Sequence, residues 1–141
     1  MGAHQFSTFY VADRLYGINV SAVQEVTKAL AITQVPLAPN FIHGLINLRG
    51  QIATAVGMHE LFGLENKNNE LMNVVCREDN MLISLLVDRI GDVVELEEKQ
   101  FEQTPDTVTD EVAKYMSGVY KTTGELLSII DVKKIINVLN E

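Results

Sequence analysis

Cysteine is nearly absent from this sequence of 141 residues, which contains only Cys76. No intrachain disulfide can form, and a chain without one suits a reducing compartment such as the cytoplasm. Residues 1–5 lack a charged region followed by an apolar core, so we expect no signal peptide. Long apolar runs are missing too, because a stretch such as residues 81–87 is far too short to span a bilayer. These absences predict a cytoplasmic protein that is not inserted into a membrane.

Catalytic and cofactor-binding motifs are also missing. The sequence has no Walker-type loop, no Gly-x-Gly-x-x-Gly, no Gly-x-Ser-x-Gly and no His-Glu-x-x-His. Its three histidines, His4, His43 and His59, are not spaced with further ligands as a metal-binding helix requires. We therefore expect no catalytic residue, no metal site and no cofactor.

Positive charge is scarce, since 11 Lys and Arg stand against 19 Asp and Glu for a formal net charge of −8. Long-range electrostatics then repels phosphate backbones. Aromatic residues make up 6% of the chain, too few for a surface on which bases stack. Nucleic acid is therefore not expected as a partner. The 47% of apolar residues is typical of a folded soluble domain.

Most of the sequence is typical of short strands separated by turns. Three hairpins are predicted: residues 6–11 with 16–20 about Asp13-Arg14, 71–76 with 81–87 about 77–80, and 115–120 with 126–130 about 122–124. The run 81–87 is apolar on both faces, which predicts a central strand. Residues 97–110 are interpreted as a polar connection. Many short strands with regular turns predict an all-β barrel or sandwich.

Three short helices are expected. Ser21 followed by Gln24 has the pattern of a capping box, with Ser21 as the N-cap. A second short helix is predicted at residues 58–62. The last is the clearest, because Asp131 is a good N-cap and the apolar residues that follow share one face. Those residues are Val132, Ile135, Ile136 and Leu139. We expect this face to dock on a barrel.

The segment 41–52 is the most informative part of the chain. Arg49 lies in a corner between two apolar runs, and Gly44 and Gly50 allow the backbone to turn or approach a neighbour closely. A cation fixed there, with no nucleophile or acid-base pair around it, indicates recognition rather than catalysis. Taken alone, however, Arg49 also fits an ordinary charge at a hairpin tip, and Glu25 a solvated carboxylate at a helix end.

The order of the segments resembles the CheW family of chemotaxis coupling proteins. Four successive segments carry the resemblance: Tyr-Gly-Ile-Asn-Val at 16–20, Val-Gln-Glu-Val at 23–26, Ile-Thr-Gln-Val-Pro at 32–36 and Ile-His-Gly-Leu-Ile-Asn-Leu-Arg-Gly at 42–50. Residues 87–93 are similar to a strand exit of the family, and residues 118–119, 126–127 and 130–132 to its closing hairpin and helix. The likeness extends over residues 6–139.

The resemblance implies an all-β fold of two small five-stranded SH3-like barrels on a shared apolar core, with short helices and a C-terminal helix. Residues 6–139 would form one CheW-like domain. Family members are non-enzymatic adaptors at membrane-associated receptor arrays in the cytoplasm. They couple the cytoplasmic tips of methyl-accepting chemoreceptors to the regulatory domain of the histidine kinase CheA. CheW-like neighbours in a ring are further implied partners.

The resemblance also implies a receptor-binding site. Glu25 and Arg49 match the acidic and basic positions of the family's Gln-Glu and Asn-Leu-Arg-Gly motifs, and we expect them to pair across the first barrel. Val23 and Asn47 complete the predicted receptor-binding set. One departure is that Gly57-Met58-His59 stands where the family usually has Asp-Leu-Arg. Glycine as an N-cap costs only a few tenths of a kcal/mol relative to Asp, so the helix survives, but any contact made by the lost groups is in doubt.

Other readings stay open at this point. The chain could be a CheW-like piece of a larger protein, either the CheA regulatory domain or the adaptor half of CheV, or a diverged paralogue in a motility pathway. A small-barrel enzyme would use carboxylates such as Asp88, Asp92 or Asp131. Asp131 is better explained as a helix cap, and Asp88 and Asp92 as polar exits from an apolar strand.

Overall fold

Strands dominate residues 2–122 and 124–140, which are the residues described by the computed structural model. The strands are β1 (Ala3–Val11), β2 (Arg14–Asn19), β3 (Val23–Thr27), β4 (Ile42–Leu48), β5 (Gln51–Gly57), β6 (Met72–Glu78), β7 (Met81–Val87), β8 (Arg89–Glu97), β9 (Phe101–Glu102), β10 (Met116–Thr122) and β11 (Glu125–Ile130). The α-helices are α1 (Met58–Leu61), α2 (Asp110–Ala113) and α3 (Val132–Leu139), and single 3-10 turns lie at Val20–Ala22 and Glu98–Gln100. None of the described helices is long and apolar enough to cross a membrane. The predicted all-β class is confirmed.

The strands form two sheets that correspond to two SH3-like barrels. One sheet has the order β8-β1-β2-β11-β10-β9 and is built from the two ends of the chain, so we call it the terminal barrel. The other has the order β3-β6-β7-β5-β4, and we call it the middle barrel. The chain therefore crosses from one barrel to the other after β2 and returns after β7. The terminal barrel has a sixth strand beyond the five expected, the two-residue β9. As predicted, β7 is the central strand of its sheet.

Tight two-residue turns join the hairpins of the structure. Ala12 and Asp13 (φ 50° and 64°) turn β1 into β2, and Asp79 and Asn80 (φ 51° and 64°) turn β6 into β7. Positive φ at both turn residues is typical of the type I′ turns that match strand twist. The first predicted turn was therefore one residue too late, and the second is shorter than predicted. The third predicted turn includes Thr123, which lies outside the described residues.

The capping-box prediction at Ser21 was wrong. The side chain of Asn19 accepts the hydrogen bond from the Ser21 N–H at 2.9 Å, and only a 3-10 turn follows. Residues from Val23 onward form β3 instead, because this β-branched segment pairs with β6. The other two helix predictions are confirmed: α1 begins after Gly57, and Asp131 caps α3 by accepting from the Lys133 N–H at 3.0 Å.

The sequence analysis missed β8 and α2. β8 pairs with β1 along most of its length, and Asp92 lies within this strand rather than at a strand exit. β8 is the first strand in the order of its sheet, so its other edge pairs with no strand of that sheet. Charged residues on such an edge strand reduce unwanted pairing with other chains. These charges hide the strand from a search for apolar alternation. α2 begins at Asp110, the last residue of the polar connection expected at residues 97–110, and β9 lies inside that stretch.

A single large apolar cluster joins the two barrels. Phe62, which follows α1 in the middle barrel, is 2% exposed and lies between Tyr16 and Tyr115, with ring centroids 5.1 Å and 6.3 Å away. The cluster also takes in Val132, Ile135 and Ile136 of α3, so the predicted docking of this helix is confirmed. The shared core fixes how the barrels sit against each other.

Replacing Ile135 by Ala is expected to lower the free energy of unfolding by about 2–5 kcal/mol, because Ile135 is 0% exposed and its removal leaves a cavity in the shared core. Asn137→Ala on the exposed face of α3 is the control and should change it by no more than about 0.5 kcal/mol. Urea unfolding of both variants measures these changes in the free energy of unfolding. An equal loss of unfolding free energy in the Ile135 and Asn137 variants would contradict the docking of α3 on the core.

Candidate functional site

The β4–β5 hairpin presents Arg49 at one end of the middle barrel. Arg49 (φ 51°) and Gly50 (φ 87°) are its two turn residues. Asn47 supports the turn, since its side-chain oxygen accepts a hydrogen bond from the Gly50 N–H at 2.9 Å. A left-handed conformation at a residue with a Cβ costs on the order of 1 kcal/mol. The fold thus holds an exposed arginine in a turn where Asn or Gly is the usual choice.

Glu25 on β3 forms an ion pair with Arg49 across this end of the barrel. The Arg49 side chain is 70% exposed and that of Glu25 only 24%, so the carboxylate is the more firmly seated partner. The hydrogen bond that Arg49 donates to Glu25, together with the attraction between the two charges, raises the pKa of Arg49. The pair lies in the middle barrel, not in the barrel with which the chain begins. An exposed pair of this kind orients the two groups more than it stabilises the fold.

A second bridge runs beside the ion pair and was not foreseen. Arg77, at the end of β6, donates from Nε to Gln24 Oε1 and from Nη2 to Gln51 Oε1, both at 3.0 Å. Gln24 is the extra residue of a bulge in β3, between the pairs Val23–Cys76 and Glu25–Val75. Bulges redirect side chains, and this one turns Gln24 toward Arg77. We call this surface the arginine end; it comprises Gln24, Glu25, Arg49, Gln51 and Arg77.

The other two predicted site residues lie at the margin of the arginine end. Val23 is half-buried and packs on the shared core, so only part of its side chain is on the surface. Asn47 is exposed and sits in register with Ile52 on β5. Ile52 is 56% exposed, and Val26 on β3 is 43% exposed. Apolar side chains thus accompany the charged groups, a composition common in protein interfaces.

Gly57 lies against a contact between α1 and β4. Glu60 of α1 forms a hydrogen bond with His43 of β4, with Oε1 and Nε2 2.9 Å apart. A Cβ on Gly57 would overlap these same two atoms. No side chain of residue 57 therefore caps the N-terminus of α1. The His43–Glu60 hydrogen bond, which links α1 to β4, occupies the space that a side chain at residue 57 would fill.

His59 is 1% exposed. Its Nε2 lies 2.9 Å from Asp88 Oδ2, while its Nδ1 has no hydrogen-bond partner within the described residues. Asp88 also accepts from the Ala12 N–H and the Asn68 amide. Burial raises the pKa of Asp88, but these hydrogen bonds outweigh it and leave the pKa below its ordinary value. His59 and Asp88 thus tie α1 to the connection between β7 and β8.

The carboxylates considered for an enzyme have separate structural roles. Asp88 binds His59 and the first hairpin turn, Asp131 caps α3, and Asp92 is exposed on β8. No group of three His, Cys, Asp or Glu residues that could hold a metal ion occurs in the described part of the chain.

Comparison with known proteins identifies the family. The family model of the CheW-like domain matches residues 5–140. The chain belongs to the CheW-like family. It is 30% identical over 130 residues to the chemotaxis protein CheW of Thermotoga maritima, covering 92% of this chain and 85% of that protein. It is 26% identical over 137 residues to CheW of Treponema pallidum, covering 93% and 81%.

A solved CheW structure has the same fold. The crystal structure of the scaffolding protein TtCheW from Thermoanaerobacter tengcongensis superposes with a TM-score of 0.83 at 29% identity, covering 92% of this chain and 90% of that one. The resemblance inferred from segment order is confirmed, together with the fold of two barrels.

Gly57→Ala should reduce the free energy of unfolding by about 1.5 kcal/mol, because its methyl group breaks the His43–Glu60 hydrogen bond and Ala is a poorer N-cap than Gly. In a Glu60→Ala background His43 can move aside, and the same substitution should cost only about 0.5 kcal/mol. Chemical denaturation of the four proteins in this cycle gives both values. Equal costs in the two backgrounds would show that the cross-link is not what excludes a side chain at Gly57.

Proposed function

We propose that this protein is a non-enzymatic chemotaxis adaptor that couples chemoreceptor cytoplasmic tips to the regulatory domain of a CheA-type histidine kinase. Membership of the CheW-like family supports the adaptor role. The Glu25–Arg49 ion pair on the exposed end of the middle barrel is the observation that carries the receptor-binding part. Val23, Glu25, Asn47 and Arg49 are the proposed receptor-binding residues. Residues 6–139 act as one domain, in the cytoplasm at receptor arrays.

The proposed mechanism is coupling between two binding surfaces. The shared core holds the barrels in a fixed relation, so a receptor bound at the arginine end has a defined position relative to a kinase bound elsewhere on the same body. A change in receptor geometry then biases the kinase by the difference in binding free energy between its states. CheW-like neighbours would extend the same geometry into a ring.

A second candidate is a diverged paralogue that performs the same coupling in a surface-motility pathway. The feature that favours it is the corner at α1, where Gly57 and His59 depart from the Asp and Arg that the resemblance implies and lie beside the His43–Glu60 and His59–Asp88 contacts. It differs from the first candidate only in the array that is served. Co-precipitation with the receptors of each pathway distinguishes the two.

Arg49→Ala is expected to weaken binding of a chemoreceptor tip fragment about fivefold or more, because it removes the cation of the proposed contact. The melting temperature should change by only a few degrees, since exposed ion pairs contribute little to stability. Isothermal titration calorimetry and thermal unfolding measure the two quantities.

Lys99→Ala is the matched control for Arg49→Ala, because Lys99 is an 80% exposed cation of the terminal barrel that also pairs with a carboxylate. It should leave receptor binding unchanged. Unaltered binding by the Arg49 variant would contradict the proposed site, and a large loss of thermal stability would show that Arg49 is structural.

A further inference from the structure

Arg77 is held in a fixed position by two neutral acceptors. Gln24 binds its Nε–H and Gln51 binds its Nη2–H, from opposite sides of the barrel end. Two hydrogen bonds from different strands restrict the rotamers of a side chain that is otherwise exposed. An arginine that is already ordered loses less entropy when it binds a further group.

The charge of Arg77 is not compensated by these contacts. Glutamine oxygens carry no formal charge, and Arg77 takes part in no ion pair among residues 2–122 and 124–140. Arg49, by contrast, is paired with Glu25. Two arginines and one carboxylate therefore leave the arginine end positive, although the whole chain has a formal charge of −8.

Three of the five N–H groups of the Arg77 guanidinium are not used by the glutamines. The Nε–H and one Nη2–H donate to Gln24 and Gln51, which leaves both N–H groups of Nη1 and one of Nη2. These remaining groups can donate to the oxygens of a carboxylate. Gln24 and Gln51 are close in sequence to Glu25 and Arg49, so these donors belong to the same surface as the proposed receptor contact.

We propose that Arg77 is a further receptor-binding residue, which donates hydrogen bonds to the carboxylate of an Asp or Glu side chain on the chemoreceptor tip. The inference rests on the proposed function and adds the chemistry of the partner: an acidic residue that meets Arg77. Glu25–Arg49 gives the surface its register, while Arg77 supplies the charge that selects an acidic partner.

Gln51→Glu tests this inference without removing the arginine. The new carboxylate lies where Gln51 Oε1 now accepts from Arg77, so it pairs with the guanidinium and cancels its charge in place. We expect the affinity for a chemoreceptor tip fragment to fall about fivefold, with a weaker dependence on salt, and thermal stability to be retained. Arg77→Gln should lose affinity to the same extent. Arg77→Lys should bind with an affinity between those of the unmodified protein and Arg77→Gln, because it keeps the charge without the guanidinium donors.

Gln103→Glu is the matched control, because it makes the same change in net charge at an exposed residue of the terminal barrel. It should bind the receptor fragment as the unmodified protein does. If Gln51→Glu and Arg77→Gln also bind normally while Arg49→Ala does not, the inference about Arg77 fails and the proposed function stands. If the unmodified protein does not bind the fragment, both fail. If the Arg77 variants lose affinity for the kinase regulatory domain instead, the cation faces the kinase and the inference is overturned.

The partner residue can then be located by charge reversal. Each Asp and Glu of the receptor tip is replaced in turn by Lys and titrated against Arg77→Glu. Recovery of affinity for one combination identifies the carboxylate that Arg77 binds. Failure of every combination to recover affinity would contradict a direct contact.

Discussion

The structure depends on one shared apolar core, in which Phe62 of the middle barrel packs between Tyr16 and Tyr115 of the terminal barrel. Neither barrel could bury its inner face alone as completely, since small domains bury a smaller fraction of their surface. The same packing fixes the relative orientation of the two barrels. An adaptor needs this property, because it transmits a signal only if the surfaces that hold its partners keep a defined geometry.

The arginine end shows how ordinary strand features build a recognition surface. A two-residue turn holds Arg49 in a left-handed conformation, and a bulge in β3 turns Gln24 toward Arg77. Glu25–Arg49 and Arg77–Gln51 then bridge strands that are not neighbours in the sheet, while Gln24–Arg77 joins the adjacent strands β3 and β6. The result is a rigid, partly charged surface beside exposed apolar side chains.

Much of this could be predicted from sequence, and the exceptions have physical causes. Alternation and turn residues located most strands, and Asp131 marked the start of α3. The segment around Ser21 was misread because local capping signals cannot show that β6 pairs with the residues after it. β8 was missed because an edge strand carries charges where a central strand is apolar. Arg77 could not be found, since its contact with Gln24 joins residues that are 53 positions apart.

The central claim is that one rigid body binds a receptor and a kinase at the same time through different surfaces. Analytical ultracentrifugation of this protein with a chemoreceptor tip fragment and the CheA regulatory domain from the same organism tests it directly. The account predicts a complex that contains all three proteins, and Arg49→Ala should remove only the receptor from it. Competition, in which the receptor fragment displaces the kinase domain, would contradict the account.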